Sequence, residues 1–120
     1  MITIIHGEDT VSSRNYYLSQ KEKSKNLVEF KADKLSFSDL IQTMEGGSLF
    51  NEEKEIFIEG FLGKKSSPDF EKIIKYLSKK NDGFKIFLWE GSEVSRTALN
   101  HFRDSIITFE KIQNIAFYFN

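Results

Sequence analysis

The sequence predicts an α/β domain in which a five-stranded parallel sheet lies between two layers of helices, a three-layer αβα arrangement. Short, continuously apolar runs alternate with longer runs whose apolar residues recur at helical spacing. The short runs are rich in Ile, Val and Phe, as strands buried on both faces require. Because helices separate the strands, right-handed crossovers would make the strands parallel.

The first strand and the first helix follow each other directly. Residues 2–5, Ile-Thr-Ile-Ile, form a β-branched run that breaks at Gly7. Asp9 or Thr10 can cap the next helix, which we predict over about residues 10–24. The residues predicted for its apolar face are Tyr16, Tyr17 and Leu18.

The second helix lies between two further strands. Residues 27–30, Leu-Val-Glu-Phe, are predicted as strand two, and residues 56–58, Ile-Phe-Ile, as strand three. A helix over residues 36–44 is predicted to end at Gly46, a residue type common just after helices. The apolar residues at helical spacing in this segment are Phe37, Leu40, Ile41 and Met44.

The second half of the chain continues the alternation. Ser67 can cap a third helix with Pro68 at its first position, and a turn at residues 81–83 would end that helix. Its predicted buried face consists of Phe70, Ile73, Ile74 and Leu77. The remaining elements are a strand, a helix and a strand, predicted over residues 86–89, 94–102 and 106–109.

The composition limits the classes of function. A chain of 120 residues fits one domain, 1–120, and its 17 basic and 18 acidic residues create no net field that would attract nucleic acid. The basic stretch Lys21, Lys23 and Lys25 has no interleaved aromatic residue to stack on bases. The sequence contains no cysteine, and its apolar N-terminus is too short to cross a membrane. We therefore expect a cytoplasmic domain.

A nucleotide-binding loop is not expected after the first strand, although parallel sheets bind ligands at the carboxyl ends of their strands. Such a loop needs a second glycine and then a lysine that reaches the phosphates. Counting from Gly7, those two positions hold Ser12 and Ser13. We therefore interpret Gly7 as a simple turn residue and Asp9 as a helix cap.

An alternative function is that of a phospho-receiver-like signalling domain. In that class Glu8 and Asp9 would hold a divalent cation, and Ser92 could supply the hydroxyl group after strand four. The acid after strand three, however, is Glu59, which is a poor substitute for a phosphate acceptor. Lys111, after strand five, lacks the proline that usually follows it. Half of the required residues are therefore missing.

Other catalytic chemistry has less support. His6 and His101 are the only histidines, and neither belongs to a cluster of metal-ligand residues in the sequence. We expect His6 at a strand end and His101 on a helix surface. Ser12 and Ser13 have no evident base. The sequence thus predicts no catalytic residue, no metal site and no cofactor.

The pair Leu49 and Phe50 is the most informative feature. These bulky residues follow Gly46-Gly47-Ser48 and precede a polar run, where a surface loop would be expected. They could fold back onto the sheet, or the Gly46-Gly47 hinge could hold them out for a partner. In the second case their burial would contribute about 3–6 kcal/mol before association costs.

Three segments resemble the N-terminal domain of the delta subunit of bacterial DNA polymerase III. They are MITIIHGEDTVSSRNYY, DLIQTMEGGSLFNEEKEIFIEGF and FKIFLWEGSEVSRTALNHF. The first is similar to the family's opening strand, turn and helix, with His6 where an aromatic residue is common. The second is similar to its helix, Ser-Leu-Phe loop and strand, and the third to its fourth strand and following helix. The resemblance covers nearly the whole chain in order and spacing.

The resemblance implies a degenerate AAA+, P-loop-NTPase-like fold that has lost ATP binding. It implies an accessory subunit of the DNA-directed DNA polymerase III holoenzyme, not itself catalytic. In the family, the Ser-Leu-Phe loop inserts into a hydrophobic pocket of the ring-shaped sliding clamp, the beta subunit, and opens the ring during DNA replication. Ser48, Leu49 and Phe50 would then bind the clamp, with Gly47 where some members place a bulky Met.

The resemblance also implies further domains. The family has a small middle domain and a C-terminal collar domain that assembles with the other clamp-loader subunits. We therefore expect residues 1–120 to be an N-terminal fragment that contacts DNA only indirectly.

Overall fold

The computed structural model describes residues 2–45, 54–62, 69–79, 84–100 and 105–110. Strands and helices alternate along these ranges, as the sequence predicts. In chain order they are β1 (Ile2–His6), α1 (Thr10–Glu22), β2 (Leu27–Lys31), a 3₁₀ turn (Ala32–Lys34), α2 (Phe37–Glu45), β3 (Lys54–Glu59), α3 (Phe70–Lys79), β4 (Phe84–Trp89), α4 (Arg96–Leu99) and β5 (Ser105–Thr108).

The five strands form one parallel sheet in the order β2-β3-β4-β1-β5. This confirms the predicted five-stranded parallel sheet. β1 lies between β4 and β5, so Ile4 is level with Leu88 on one side and with Ile106 on the other. The order places the amino-terminal strand near the middle of the sheet, although the next strand in sequence, β2, lies at its edge.

Helices cover both faces of the sheet. Because alternate side chains of a strand point to opposite faces, the strands contribute to two separate cores. The larger core packs against α2 and α3, and its strand residues are Ile2, Ile4, Ile56, Ile58, Ile86 and Leu88. The smaller core packs against Tyr17 of α1, and its strand residues are Ile5, Phe57 and Phe87. The predicted buried face of α3 is confirmed, since Phe70, Ile73, Ile74 and Leu77 are all at most 5% exposed.

Two predictions about burial are wrong. Leu18, predicted on the apolar face of α1, is 36% exposed, whereas Tyr17 is fully buried. β2, predicted to be buried on both faces, alternates between exposed and half-buried residues, and Leu27 is 44% exposed. β2 is an edge strand that pairs only with β3, so its residues lie at the margin of both helix layers.

Helices α1 and α2 each begin at a polar side chain that accepts a backbone hydrogen bond. Asp9 caps α1, and Ser36 Oγ accepts a hydrogen bond from Asp39 N–H at 3.1 Å at the start of α2. The helices are short, and α1, at 13 residues, is the longest in the described ranges. None of them has the length and apolar character needed to cross a bilayer.

Several predicted features lie outside the described residues. These are Gly46, the cap formed by Ser67 and Pro68, and the turn at residues 81–83. The fourth helix is described over Arg96–Leu99, within the predicted span 94–102, and its predicted last residues also lie outside the described ranges.

Candidate functional site

The turn between β1 and α1 lies at the carboxyl edge of the sheet and packs directly against the end of β5. Asp9 N–H donates a hydrogen bond to the Phe109 carbonyl at 3.0 Å, and Phe109 N–H donates one to the His6 carbonyl at 2.8 Å. Gly7 has a φ of 133°, and a Cβ atom there would lie 2.1 Å from the Phe109 carbonyl oxygen. The interpretation of Gly7 as a turn residue is confirmed, and the close approach explains why glycine is required.

Both polar residues at the expected phosphate-binding positions make hydrogen bonds inside the protein. The Asp9 carboxylate accepts from Ser12 N–H at 3.0 Å and from Ser12 Oγ at 2.8 Å, which confirms Asp9 as the cap. Ser13 Oγ donates to the Thr10 carbonyl at 3.1 Å and accepts from Trp89 Nε1 at 3.0 Å. A helix N-terminus normally attracts phosphate, but here a carboxylate already lies there and would repel a second anion.

Glu59, at the end of β3, is paired with a cation from α1. Its Oε1 lies 3.0 Å from Arg14 Nη1, and the Arg14 guanidinium lies 4.7 Å from the centroid of the Trp89 ring. Because the Arg14 side chain is 43% exposed, the ion pair contributes only about 0.2–1 kcal/mol. The arrangement packs α1 onto the ends of β3 and β4 and gives Glu59 a structural partner.

The strand order argues against the phospho-receiver alternative. In doubly wound sheets of that kind, with the order 2-1-3-4-5, strands one and three are neighbours and their acids meet. Here β4 separates β1 from β3, so their ends are two strand spacings, about 9–10 Å, apart. Within the described ranges no group of three His, Asp or Glu side chains could hold a metal ion. Glu8 and Ser92 are exposed, and Lys111 lies outside the described residues.

His6 links three elements at the same edge. It ends β1, as predicted, but it is only 2% exposed. Its Nδ1 accepts a hydrogen bond from Val94 N–H at 3.0 Å, and its Nε2 lies 2.9 Å from Thr108 Oγ1. Because Nδ1 accepts, the proton of the neutral ring is on Nε2 and is donated to the Thr108 hydroxyl. His101 lies outside the described residues.

The stability of the domain should depend on the protonation of His6. Burial lowers its pKa below the ordinary 6.5, and the nearby Glu93 carboxylate opposes this effect. The unfolded chain therefore binds the proton more readily, so the contribution of His6 is complete above pH 6.5 and is lost as the pH falls below it. The slope cannot exceed about 1.4 kcal/mol per pH unit for one proton.

The measurement is urea unfolding of wild type and His6→Asn at about pH 7.5 and about pH 5.5. Asparagine offers an oxygen to Val94 N–H but does not titrate, so the variant should lose less stability on acidification than wild type. The titration of His101 is common to both proteins and cancels in the difference. Equal losses in the two proteins would contradict the role of His6.

Glu90 is a buried acid that sequence reasoning did not single out. It is 4% exposed, and its Oε2 accepts a hydrogen bond from Leu62 N–H at 3.0 Å. Its backbone N–H donates to the Ile5 carbonyl at 2.9 Å, which continues the pairing of β1 and β4. Glu90 thus connects the segment after β3 to the centre of the sheet. The feature of the sequence that could have indicated this role is the position of Glu90, an acid immediately after the apolar run of β4.

The second candidate region lies at the opposite, amino edge of the sheet, where α2 connects to β3. Lys54 Nζ donates a hydrogen bond to the Thr43 carbonyl at 2.8 Å, so the last turn of α2 lies beside the first residue of β3. The predicted clamp-binding residues, Ser48, Leu49 and Phe50, belong to this connection and lie outside the described residues.

The sheet and its two layers of helices define the class of protein: a parallel α/β domain with helices on both faces. Its β1–α1 turn is closed by a carboxylate cap and by the end of β5. Comparisons with models of protein families and with curated proteins find no match to this chain.

Proposed function

We propose that this domain binds a DNA polymerase sliding clamp through Ser48, Leu49 and Phe50 and opens the ring, as a delta subunit of a clamp loader would. It would hydrolyse no ATP itself. The observation that carries the proposal is the position of these three residues: they lie in the connection between α2 and β3, where the family has its clamp-binding loop.

The fold supports this proposal in two ways. The five-stranded parallel sheet with a helix layer on each face is the three-layer arrangement that the resemblance implies. The turn after β1, where such a domain would bind phosphate, holds the Asp9 carboxylate instead. Both features agree with a nucleotide-binding fold that no longer uses its nucleotide site.

The hydrogen bond between Lys54 and Thr43 also supports a binding role for the connection. It joins the two ends of the segment that contains Leu49 and Phe50. A segment whose ends are already held together has less conformational freedom to lose when it binds. The bond would therefore raise the affinity of the segment without contacting the partner.

The proposed mechanism is mechanical. A ligand shifts a conformational equilibrium only by the difference between its affinities for the two states. Leu49 and Phe50 would therefore open a clamp only if their pocket accepts them better when a ring interface is distorted. The energy available is that of burying two apolar side chains, about 3–6 kcal/mol before association costs. Neighbouring loader subunits would hydrolyse ATP and would meet this subunit through its collar domain.

Titration calorimetry with the sliding clamp of the same organism tests the proposal. The Leu49→Ala/Phe50→Ala variant should bind at least about 100-fold more weakly than wild type, because it removes the apolar contact. The matched control is Val11→Ala/Leu18→Ala, which removes two apolar side chains that are 71% and 36% exposed on α1. The control should bind like wild type.

Circular dichroism separates the two interpretations of the pair. If Leu49 and Phe50 bind the clamp, the double variant keeps its spectrum and its unfolding midpoint. If wild type does not bind and the double variant unfolds, the pair belongs to the core and the proposed function fails.

A further inference from the structure

A groove between α2 and α3 combines aromatic rings with positive charge. It has a volume of about 280 Å³. Phe37 lines it from α2, and Lys72, Lys75, Tyr76 and Lys79 line it from α3. The three lysines are exposed, whereas the two aromatic residues are half-buried. The groove is separate from the carboxyl edge of the sheet, and none of the residues that line it is proposed to bind the clamp.

Hydrogen bonds at both ends of α2 connect it to α3 and to Asp69, the residue before α3. At its start, Phe37 N–H donates to Asp69 Oδ2 at 2.9 Å, and at its end, Glu45 Oε1 accepts from the Tyr76 hydroxyl at 3.1 Å. The Phe37 and Tyr76 rings meet edge-on, with centroids 5.9 Å apart. Burial and the bond to Glu45 raise the pKa of Tyr76 to about 12, so its hydroxyl stays protonated. The apolar floor of the groove is thus preorganised.

The lysines form one line along the groove. Lys72, Lys75 and Lys79 are three and four positions apart, which places them on one side of α3. Their successive spacings along the helix axis are about 4.5 Å and about 6 Å. Within the described ranges none of the three takes part in an ion pair. Three acids border this arrangement: Glu45 accepts from the Tyr76 hydroxyl, Asp69 accepts from Phe37 N–H, and Glu71 lies one turn before Lys75 on α3.

We propose that this groove binds a short segment of single-stranded nucleic acid directly, which goes beyond the indirect contact with DNA that the resemblance implies. The attraction would come from the local charge of the three lysines, since the chain as a whole has a net charge of -1. Proteins that bind single strands combine aromatic rings, on which bases stack, with a line of cations that follows the phosphates. Here a base would contact Tyr76 and Phe37, and adjacent phosphates would lie along the lysines. An acidic protein segment could use the lysines but would not need the rings.

Fluorescence anisotropy of a labelled oligo(dT) of about 12 nucleotides tests this proposal with the 120-residue chain at about 50 mM salt. Lys72→Gln/Lys75→Gln should weaken binding at least about tenfold, since two phosphate contacts are lost. For the same reason, the slope of log Kd against log salt concentration should decrease by about 1.4. The matched control is Lys23→Gln/Lys25→Gln, which removes the same charge from exposed positions outside the groove. It should weaken binding less than about twofold.

Tyr76→Leu tests the stacking contact, because leucine keeps an apolar side chain but removes the ring. It should weaken oligo(dT) binding about 5- to 100-fold, with an unchanged circular dichroism spectrum. The proposal is overturned if the two lysine pairs weaken binding equally, or if folded Tyr76→Leu binds like wild type. It is also overturned if a poly-Glu peptide competes as well as unlabelled oligo(dT). Leu49→Ala/Phe50→Ala should bind the oligonucleotide as wild type does, because neither residue is among those that line the groove. A failure of the nucleic-acid proposal can therefore be distinguished from a failure of the proposed clamp binding.

Discussion

Replacing Gly7 by alanine should destabilise the domain by about 3–5 kcal/mol. The φ of 133° is a conformation that residues with a side chain rarely adopt, and this strain costs about 1–3 kcal/mol. The added Cβ atom would also lie 2.1 Å from the Phe109 carbonyl oxygen and 2.6 Å from its nitrogen. These are backbone atoms, so β5 and the β1–α1 turn would have to move apart.

Gly60→Ala is the matched control, because it produces strain without a clash. Gly60 has a φ of 72°, and a Cβ atom there meets nothing within 4 Å. This substitution should cost only about 1–2 kcal/mol. Urea unfolding of wild type and both variants gives the comparison. If the two variants lose equal stability, then the approach of Phe109 to Gly7 is not what closes this turn.

Replacing Phe57 by alanine should cost about 3–5 kcal/mol. Phe57 is fully buried on the face of the sheet that α1 covers. Its ring stacks on Phe87 with centroids 4.7 Å apart and meets Tyr17 edge-on at 5.5 Å. Truncation would remove both contacts and leave a cavity beneath α1, in a core that has few other residues to fill it.

Leu27→Ala is the control for Phe57, since Leu27 also lies in the sheet but is 44% exposed at the edge strand. We expect it to change the unfolding free energy by less than about 1 kcal/mol. Near-ultraviolet circular dichroism should show loss of the aromatic signal in Phe57→Ala and not in Leu27→Ala. A loss below about 1 kcal/mol in Phe57→Ala would mean that α1 is not held by this aromatic core.

The sequence predicted the elements well where local pattern decides the structure. The buried face of α3 repeats at helical spacing, from Phe70 to Leu77, and all of its predicted members are buried. Asp9 was recognised as a cap because a carboxylate before a helix accepts its free N–H groups regardless of the rest of the fold. The prediction for Leu27 was wrong because apolar character alone does not show which strand forms the sheet edge. The prediction for Leu18 was wrong because successive helix residues point about 100° apart, so Leu18 turns away from the face that buries Tyr17.

The arrangement of the candidate sites depends on contacts between distant residues. His6 and Thr108 are 102 positions apart, and Arg14 and Glu59 are 45 apart. They meet only because β1 lies beside β5, and α1 packs over the ends of β3 and β4. The sequence pattern predicts parallel strands without specifying their order, so none of these pairs was predictable from it.

The sequence by itself therefore determined the strands, the helices, the capped turn after β1 and the resemblance from which the proposed clamp contact comes. These follow from the chemistry of neighbouring residues. Only the tertiary structure decided that Phe109 closes the turn at Gly7 and that β4 separates β1 from β3. It also brought Phe37 beside the lysines of α3. The reason is physical: hydrophobic burial is non-directional, and the packing of whole helices and strands selects which surfaces meet.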